Sequence, residues 1–94
     1  MEHFEWDPVK EAVNLAKHGL SFGSAAKVLA AGHVLVYRSD RGGEARWVGT
    51  GAHEETGKVV AIVYTLRRGG GCRIISARRA RQNEEEAYWR RAGA

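Results

Sequence analysis

The sequence has little of several residue types, and each shortage excludes a class of protein. A single cysteine, Cys72, among 94 residues excludes an intrachain disulfide and is typical of a reducing compartment. No apolar run approaches the length that spans a bilayer, and the first ten residues carry no export signal. His3, His33 and His53 have no partner at metal-ligand spacing, so we expect neither a metal site nor a cofactor. The composition predicts a soluble, cytoplasmic protein without membrane contact.

Carboxylates are missing from one stretch of the chain, residues 67–81. That stretch holds six arginines, and the net charge of +4 is concentrated there because eleven acidic residues are spread elsewhere. Guanidinium groups so close together repel one another unless they meet an anion. Arginine suits phosphate because its planar fork donates two hydrogen bonds at once. The arginines are Arg67, Arg68, Arg73, Arg78, Arg79 and Arg81.

The N-terminal third reads as two helices. Asp7 followed by Pro8 predicts a helix start, because Asp caps helix N-termini and Pro fits the first turn. That helix should end at Gly19. Ser21 should cap a second helix, which ends at Gly32. One face of the first helix is predicted to pack through an apolar stripe: Val9, Ala12, Val13 and Ala16. The opposite face is predicted to be polar: Lys10, Asn14, Lys17 and His18.

Four runs rich in β-branched and aromatic residues follow, separated by short glycine-containing turns. They are His33–Arg38, Ala45–Thr50, Lys58–Leu66 and Cys72–Ala77. Such short connections favour antiparallel neighbours, with 58–66 as a central strand. Asn83 and the acidic residues after it predict a C-terminal helix. We therefore expect one α+β domain over residues 1–94, in the order ααββββα: two N-terminal helices on one face of a four-stranded antiparallel meander sheet, then a helix.

Two basic clusters are candidate sites. Strict alternation along the last strand places Arg73 and Arg78 on opposite faces, and Arg78, at the strand end, is easily aimed into a cleft. Lys17 and His18 lie in the last turn of the first helix, where an imidazole can transfer protons. Cations there also stabilise a helix C-terminus without any chemistry, and the arginines of the turn at 67–68 can equally be solvated surface.

The segments that carry these features resemble the BrnT family of bacterial toxins, from Phe4 to Tyr88. The most specific matches are Lys17-His18-Gly19 and the run from Arg73 to Arg78. The resemblance implies a RelE-like fold, RNA cleavage that causes growth arrest, and a BrnA-type antitoxin in a hetero-oligomer that contacts operator DNA only through the antitoxin. Two departures stand out: Arg81 replaces a capping Thr, and the residues after Glu84 are acidic where relatives are basic.

Carried onto this sequence, the resemblance implies metal-independent cleavage by the RNA's own 2′-hydroxyl. We assign catalysis to His18 as acid or base and to Arg67 and Arg78 as charge stabilisers. RNA backbone contacts are assigned to Lys17, Arg46, Arg73 and Arg79. The alternative is a non-catalytic nucleic-acid-binding or protein-interaction module that uses the arginine patch for affinity alone.

Overall fold

Three helices and five strands form an α+β fold in the computed structural model, which describes residues 3–93. In chain order they are β1 (Phe4–Glu5), α1 (Pro8–His18), α2 (Phe22–Ala31), β2 (Leu35–Arg38), β3 (Trp47–Ala52), β4 (Val59–Leu66), β5 (Cys72–Arg79) and α3 (Gln82–Ala92). A short 3₁₀ turn, Arg68–Gly70, connects β4 to β5. None of the three helices in the described range has the length and apolar character needed to cross a membrane.

The predicted four-stranded antiparallel meander was wrong, because the sheet has a fifth strand and is mixed. The strand order is β1-β5-β4-β3-β2, in which β1 pairs with β5 in parallel and all other neighbours are antiparallel. The element order is therefore βααββββα. The sequence did not reveal β1 because two residues, Phe4 and Glu5, are too few for an alternating pattern. As predicted, β4 is central, and most of its residues are buried.

Local signals placed the ends of the first two helices correctly. The Asp7 carboxylate accepts hydrogen bonds from the amides of Val9 and Lys10 at the start of α1. Gly19, at φ 69°, ends this helix in the left-handed conformation that glycine adopts without steric cost. Ser21 caps α2 through the amide of Ser24 at 3.0 Å. Each of these contacts joins residues within one turn, so the sequence shows it directly.

The buried face of α1 is the reverse of the predicted one. Val9 is 71% exposed and Val13 is 62% exposed, whereas Asn14 is buried. The Asn14 side-chain amide donates to the Ala77 carbonyl at 2.8 Å and its oxygen accepts from the Ala77 amide at 3.1 Å. Because β1 covers only the start of β5, the β5 edge at Ala77 is open, and Asn14 supplies the hydrogen bonds that a neighbouring strand would otherwise make. A polar residue thus anchors α1 to the sheet.

Two glycines let α2 lie close against β3. A Cβ atom at Gly51 would stand 2.7 Å from Cγ1 of Val28, and one at Gly49 would stand 2.9 Å from Cδ2 of Leu29. Both distances are shorter than carbon atoms tolerate. The hydrophobic core between the helices and the sheet contains Phe22, Ala25, Val28, Leu29, Val60, Ile62, Tyr64, Cys72, Ile74 and Ala77. Burial also raises the pKa of the Cys72 thiol to about 11, so this thiol stays protonated at neutral pH.

We expect Gly51→Ala to lower the free energy of unfolding by about 1–3 kcal/mol, the usual cost of overpacking a filled core. Gly23→Ala is the matched control, since a Cβ there meets only the Ser21 hydroxyl oxygen at 3.8 Å. In the control we expect no loss, and a gain of up to about 1 kcal/mol because alanine favours the helix. Urea unfolding of both variants measures the difference. Equal stabilities would show that α2 is free to move away from β3.

Candidate functional site

A β-bulge in β5 decides which arginines share a face of the sheet. The register between β4 and β5 shifts by one residue, and Ile75 is the extra residue. Beyond the bulge the alternation resumes one position later. Arg73 lies opposite Thr65 and Arg78 lies opposite Ala61, two β4 residues that point the same way. The predicted split of Arg73 and Arg78 between opposite faces was therefore wrong.

Arg78 lies on the face of the sheet opposite α1 and α2, where α3 packs. Its guanidinium donates to both carboxylate oxygens of Glu84, at 2.7 and 3.1 Å. The Tyr37 hydroxyl donates to the same carboxylate, and so does the amide of Arg81 at 2.8 Å. The Glu84 side chain is only 5% exposed. We call these three side chains, Arg78, Glu84 and Tyr37, the Glu84 cluster.

The electrostatics of the Glu84 cluster fix its protonation at neutral pH. Burial alone would raise the pKa of Glu84, but hydrogen bonds from Arg78, Tyr37 and the Arg81 amide outweigh it and hold the pKa at about 2. The hydrogen bond to Glu84 in turn raises the pKa of Arg78. The pKa of Tyr37 is raised by its burial and then by its contact with Glu84. Glu84 is therefore an ionised anchor that orients Arg78 and Tyr37, and it is a poor proton acceptor.

Besides Arg78, three arginines of residues 67–81 gain a carboxylate partner from β1 or α3. Glu5 of β1 lies 2.9 Å from Arg67 and 3.9 Å from Arg73. Glu85 of α3 lies 3.8 Å from Arg79. These pairs are largely exposed, so each contributes about 0–1 kcal/mol and yields easily to a competing anion. The phosphate-binding charge predicted from the sequence is thus partly neutralised, but by partners that a phosphate can displace.

A groove of about 490 Å³ lies beside the C-terminal end of α1. His18 and Arg79 line it, and the loop between β3 and β4 adds His53 and Lys58. Arg79 reaches this side because it follows Arg78 in the strand and so points to the other face. Glu55 also lines the groove, which leaves four basic side chains to one carboxylate. We call His18, His53, Lys58 and Arg79 the histidine groove.

The loop that carries His53 is held by its own backbone. The His53 amide donates to the Lys58 carbonyl at 2.8 Å, and the Gly57 amide donates to the His53 carbonyl at 2.7 Å. Gly57 adopts φ 70°, which closes this tight turn. The ring Nδ1 of His53 lies 3.4 Å from the Thr56 hydroxyl. These contacts set the position of the second imidazole of the groove.

The predicted catalytic residues His18, Arg67 and Arg78 do not converge. Arg67 follows the C-terminal end of β4, whereas the histidine groove lies at Val60 near its other end. Six strand residues at about 3.3 Å each separate these two places by roughly 20 Å. Arg78 lies near the groove in sequence but on the other face of the sheet. The histidine groove therefore joins only one predicted catalytic residue, His18, to one predicted RNA contact, Arg79.

The remaining predicted RNA contacts are dispersed. Lys17 is exposed in the last turn of α1, next to His18. Arg46 precedes β3 and pairs with Glu44 at 2.8 Å. Arg73 is on the face of the sheet on which α3 packs, together with the Glu84 cluster. Within residues 3–93 there is no group of three or more His, Cys, Asp and Glu side chains that could hold a metal ion.

A family model described as "Ribonuclease toxin, BrnT, of type II toxin-antitoxin system" matches residues 6–84. The chain belongs to the BrnT family of ribonuclease toxins. The crystal structure of the Brucella abortus ribonuclease toxin, BrnT, is similar in fold, with a TM-score of 0.69 and 24% identity over 87% of this chain and 100% of that one. The comparison with curated proteins finds no match.

Membership of the family confirms the resemblance seen in the sequence, but two residues of the candidate sites were missed. Tyr37 was predicted only as part of the strand His33–Arg38, and His53 only as a histidine without a partner at metal-ligand spacing. Only the fold brings Tyr37 to Glu84, 47 positions away, and His53 to His18. The predicted cap at Asn83 was wrong, because α3 begins at Gln82 after Arg81, and the side chain that accepts from the Arg81 amide is that of Glu84. The same carboxylate that caps α3 also holds Arg78.

Proposed function

We propose that this chain is the toxin of a type II toxin–antitoxin pair, that it acts in the cytoplasm as a RelE-like ribonuclease, and that a BrnA-type antitoxin neutralises it. The observation that carries the chemical part is the histidine groove. It holds two imidazoles beside a lysine and an arginine. Imidazoles transfer protons near neutral pH, and fixed cations stabilise the charge of a reacting phosphate. Together they supply what RNA cleavage requires.

The reaction uses a nucleophile that the substrate carries itself. One imidazole takes the proton of the 2′-hydroxyl, whose oxygen attacks the adjacent phosphorus. Arg79 and Lys58 stabilise the negative charge that builds up on the phosphoryl oxygens. The other imidazole protonates the 5′-oxygen as its bond to phosphorus breaks. The products are a 2′,3′-cyclic phosphate and a 5′-hydroxyl, and no metal ion or cofactor enters the balance.

The face of the sheet on which α3 packs carries two further arginines that are candidates for RNA contact. Arg73 and Arg78 point to that face together, and the Glu84 cluster holds the Arg78 guanidinium in place. Lys17, beside the groove, and Arg46 remain predicted contacts to the RNA backbone. Charge stabilisation by Arg67 and Arg78 also stays a prediction, since neither lines the histidine groove.

We expect the purified chain, free of antitoxin, to cleave labelled single-stranded RNA in the presence of EDTA. The reason is that the proposed groups need no Lewis acid. Product ends with 2′,3′-cyclic phosphate identify attack by the 2′-hydroxyl. An oligonucleotide of the same sequence with 2′-deoxyribose throughout is the control and should stay intact.

Two outcomes would contradict the proposal. Activity that disappears with EDTA and returns with a divalent ion would overturn the metal-free mechanism. Tight binding of RNA without any product, at enzyme concentrations above that of the substrate, would favour the alternative of a non-catalytic binding module.

A further inference from the structure

The outer face of α1 is apolar and uncovered. Four residues with spacings of three and four line one side of the helix, which we call the α1 stripe: Val9, Ala12, Val13 and Ala16. Val9 is 71% exposed and Val13 is 62% exposed, and these are among the largest exposures of any large apolar residue in the described part of the chain. Asn14 and Glu11 occupy the inner side of the helix. The most amphipathic segment of the chain therefore turns its apolar side to solvent.

The charged side chains on the border of the α1 stripe, among the described residues, are both lysines. Lys10 and Lys17 are exposed along one border of the stripe. The two carboxylates nearby face other partners: Asp7 caps α1 itself, and Glu11 accepts hydrogen bonds from the amides of Phe22 and Gly23 at 2.8 and 3.3 Å. The outer face of α1 thus combines an apolar stripe with a positive border.

This combination selects the kind of partner. Most protein contacts to nucleic acids are made by polar and charged groups to phosphate and sugar, so a stripe of valine and alanine side chains suits a protein partner better than RNA. A second copy packed antiparallel would set the Lys10 and Lys17 border of one helix against the same border of the other, which like charges disfavour. An amphipathic helix with an apolar stripe bordered by Asp or Glu fits both features.

We propose that the α1 stripe is the docking site for an acidic amphipathic helix of the antitoxin. The identity of the partner rests on the proposed function, whereas the chemistry of the helix rests on the stripe and its border. The stripe ends at Ala16, two residues before His18, so a helix docked along it brings the adjoining part of the antitoxin close to the histidine groove. Docking there lets the antitoxin block access to the groove while its contacts lie on α1.

The test is Val13→Glu, which places a carboxylate in the middle of the stripe. The fold should tolerate it, since the site is exposed and the new carboxylate lies three and four residues from Lys10 and Lys17. We expect the affinity for the purified cognate antitoxin, measured by calorimetry, to fall at least tenfold. RNA cleavage by the free variant should be unchanged, and added antitoxin should no longer suppress it. Val13→Leu should keep full affinity, and Leu66→Glu, at another exposed apolar residue, should have no effect on binding.

Three results would overturn the proposal. The first is an unchanged affinity of Val13→Glu for the antitoxin. The second is a dimer of the free wild-type chain in sedimentation that Val13→Glu dissolves, which would assign the stripe to a second copy. The third is slower RNA cleavage by the free variant, which would assign it to RNA. A wild-type chain without ribonuclease activity whose antitoxin binding still depends on Val13 would contradict the proposed function and leave the docking site standing.

Discussion

Replacing His18 with Ala is expected to slow RNA cleavage by a factor on the order of a hundred or more, with little change in melting temperature. His18 lines the histidine groove together with Arg79, and its side chain is exposed, so its removal takes away a proton carrier and little packing. His53→Ala should have a comparable effect, because the mechanism needs a base and an acid. His3→Ala is the control, since this histidine lies beside Cys72 at the other end of the sheet.

Single-turnover cleavage and thermal unfolding, measured on the same sample of each variant, decide between two roles for His18. As a cation in the last turn of α1 it would contribute about 0.3–1 kcal/mol of stability and nothing to turnover. A lowered midpoint with an unchanged rate would thus leave His18 as a helix-end cation. The mechanism would then lack its first imidazole.

Arg78→Ala is expected to destabilise the chain by about 3–5 kcal/mol at neutral pH, because it leaves the buried Glu84 carboxylate without its bidentate partner. A domain of this size has a total stability of about 5–15 kcal/mol, so the substitution removes a large part of it and should lower the urea concentration at which the chain unfolds. Arg79→Ala is the matched control. Its guanidinium is exposed and lies 3.8 Å from Glu85, and its loss should cost less than about 1 kcal/mol.

The difference between wild type and Arg78→Ala should depend on pH. The pKa of Glu84 falls from 4.5 to about 2 on folding, so its contribution is complete above about pH 4.5 and is lost as the pH falls towards 2. The two proteins should therefore converge in stability in acid, which urea unfolding between pH 7 and pH 2 measures. A variant with wild-type stability at pH 7 that nevertheless loses toxicity would instead support the charge-stabilising role predicted for Arg78.

The sequence predicted correctly the features that depend on contacts between residues close together in the chain. The caps at Asp7 and Ser21 and the helix end at Gly19 each involve contacts within one turn. Family membership was likewise readable, because it depends on motifs such as Lys17-His18-Gly19. The central position of β4 followed from its continuous apolar character.

What the sequence could not predict depends on residues far apart. Asn14 meets Ala77 across 63 positions, and no periodic pattern shows that a helix is anchored by an amide. The spacing of apolar residues in α1 identified the hydrophobic side of the helix. It did not indicate whether that side packs against the rest of this chain or against a partner. The bulge at Ile75 moved Arg78 to the face of Arg73, and alternation alone has no means of detecting an extra residue.

The pairing of β1 with β5 also bears on how the chain folds during synthesis. Phe4 pairs with Cys72, and Asn14 with Ala77, so the first strand and the first helix have no stable place until β5 has left the ribosome. Contacts of such long range make folding slow, and a partly made chain exposes the apolar surfaces that β5 will cover. Arg78 and Arg79 are themselves among the last strand residues to be synthesised. The Glu84 cluster and the histidine groove are therefore completed only when the chain can fold. We expect an incomplete chain that ends before β5 to be neither folded nor toxic.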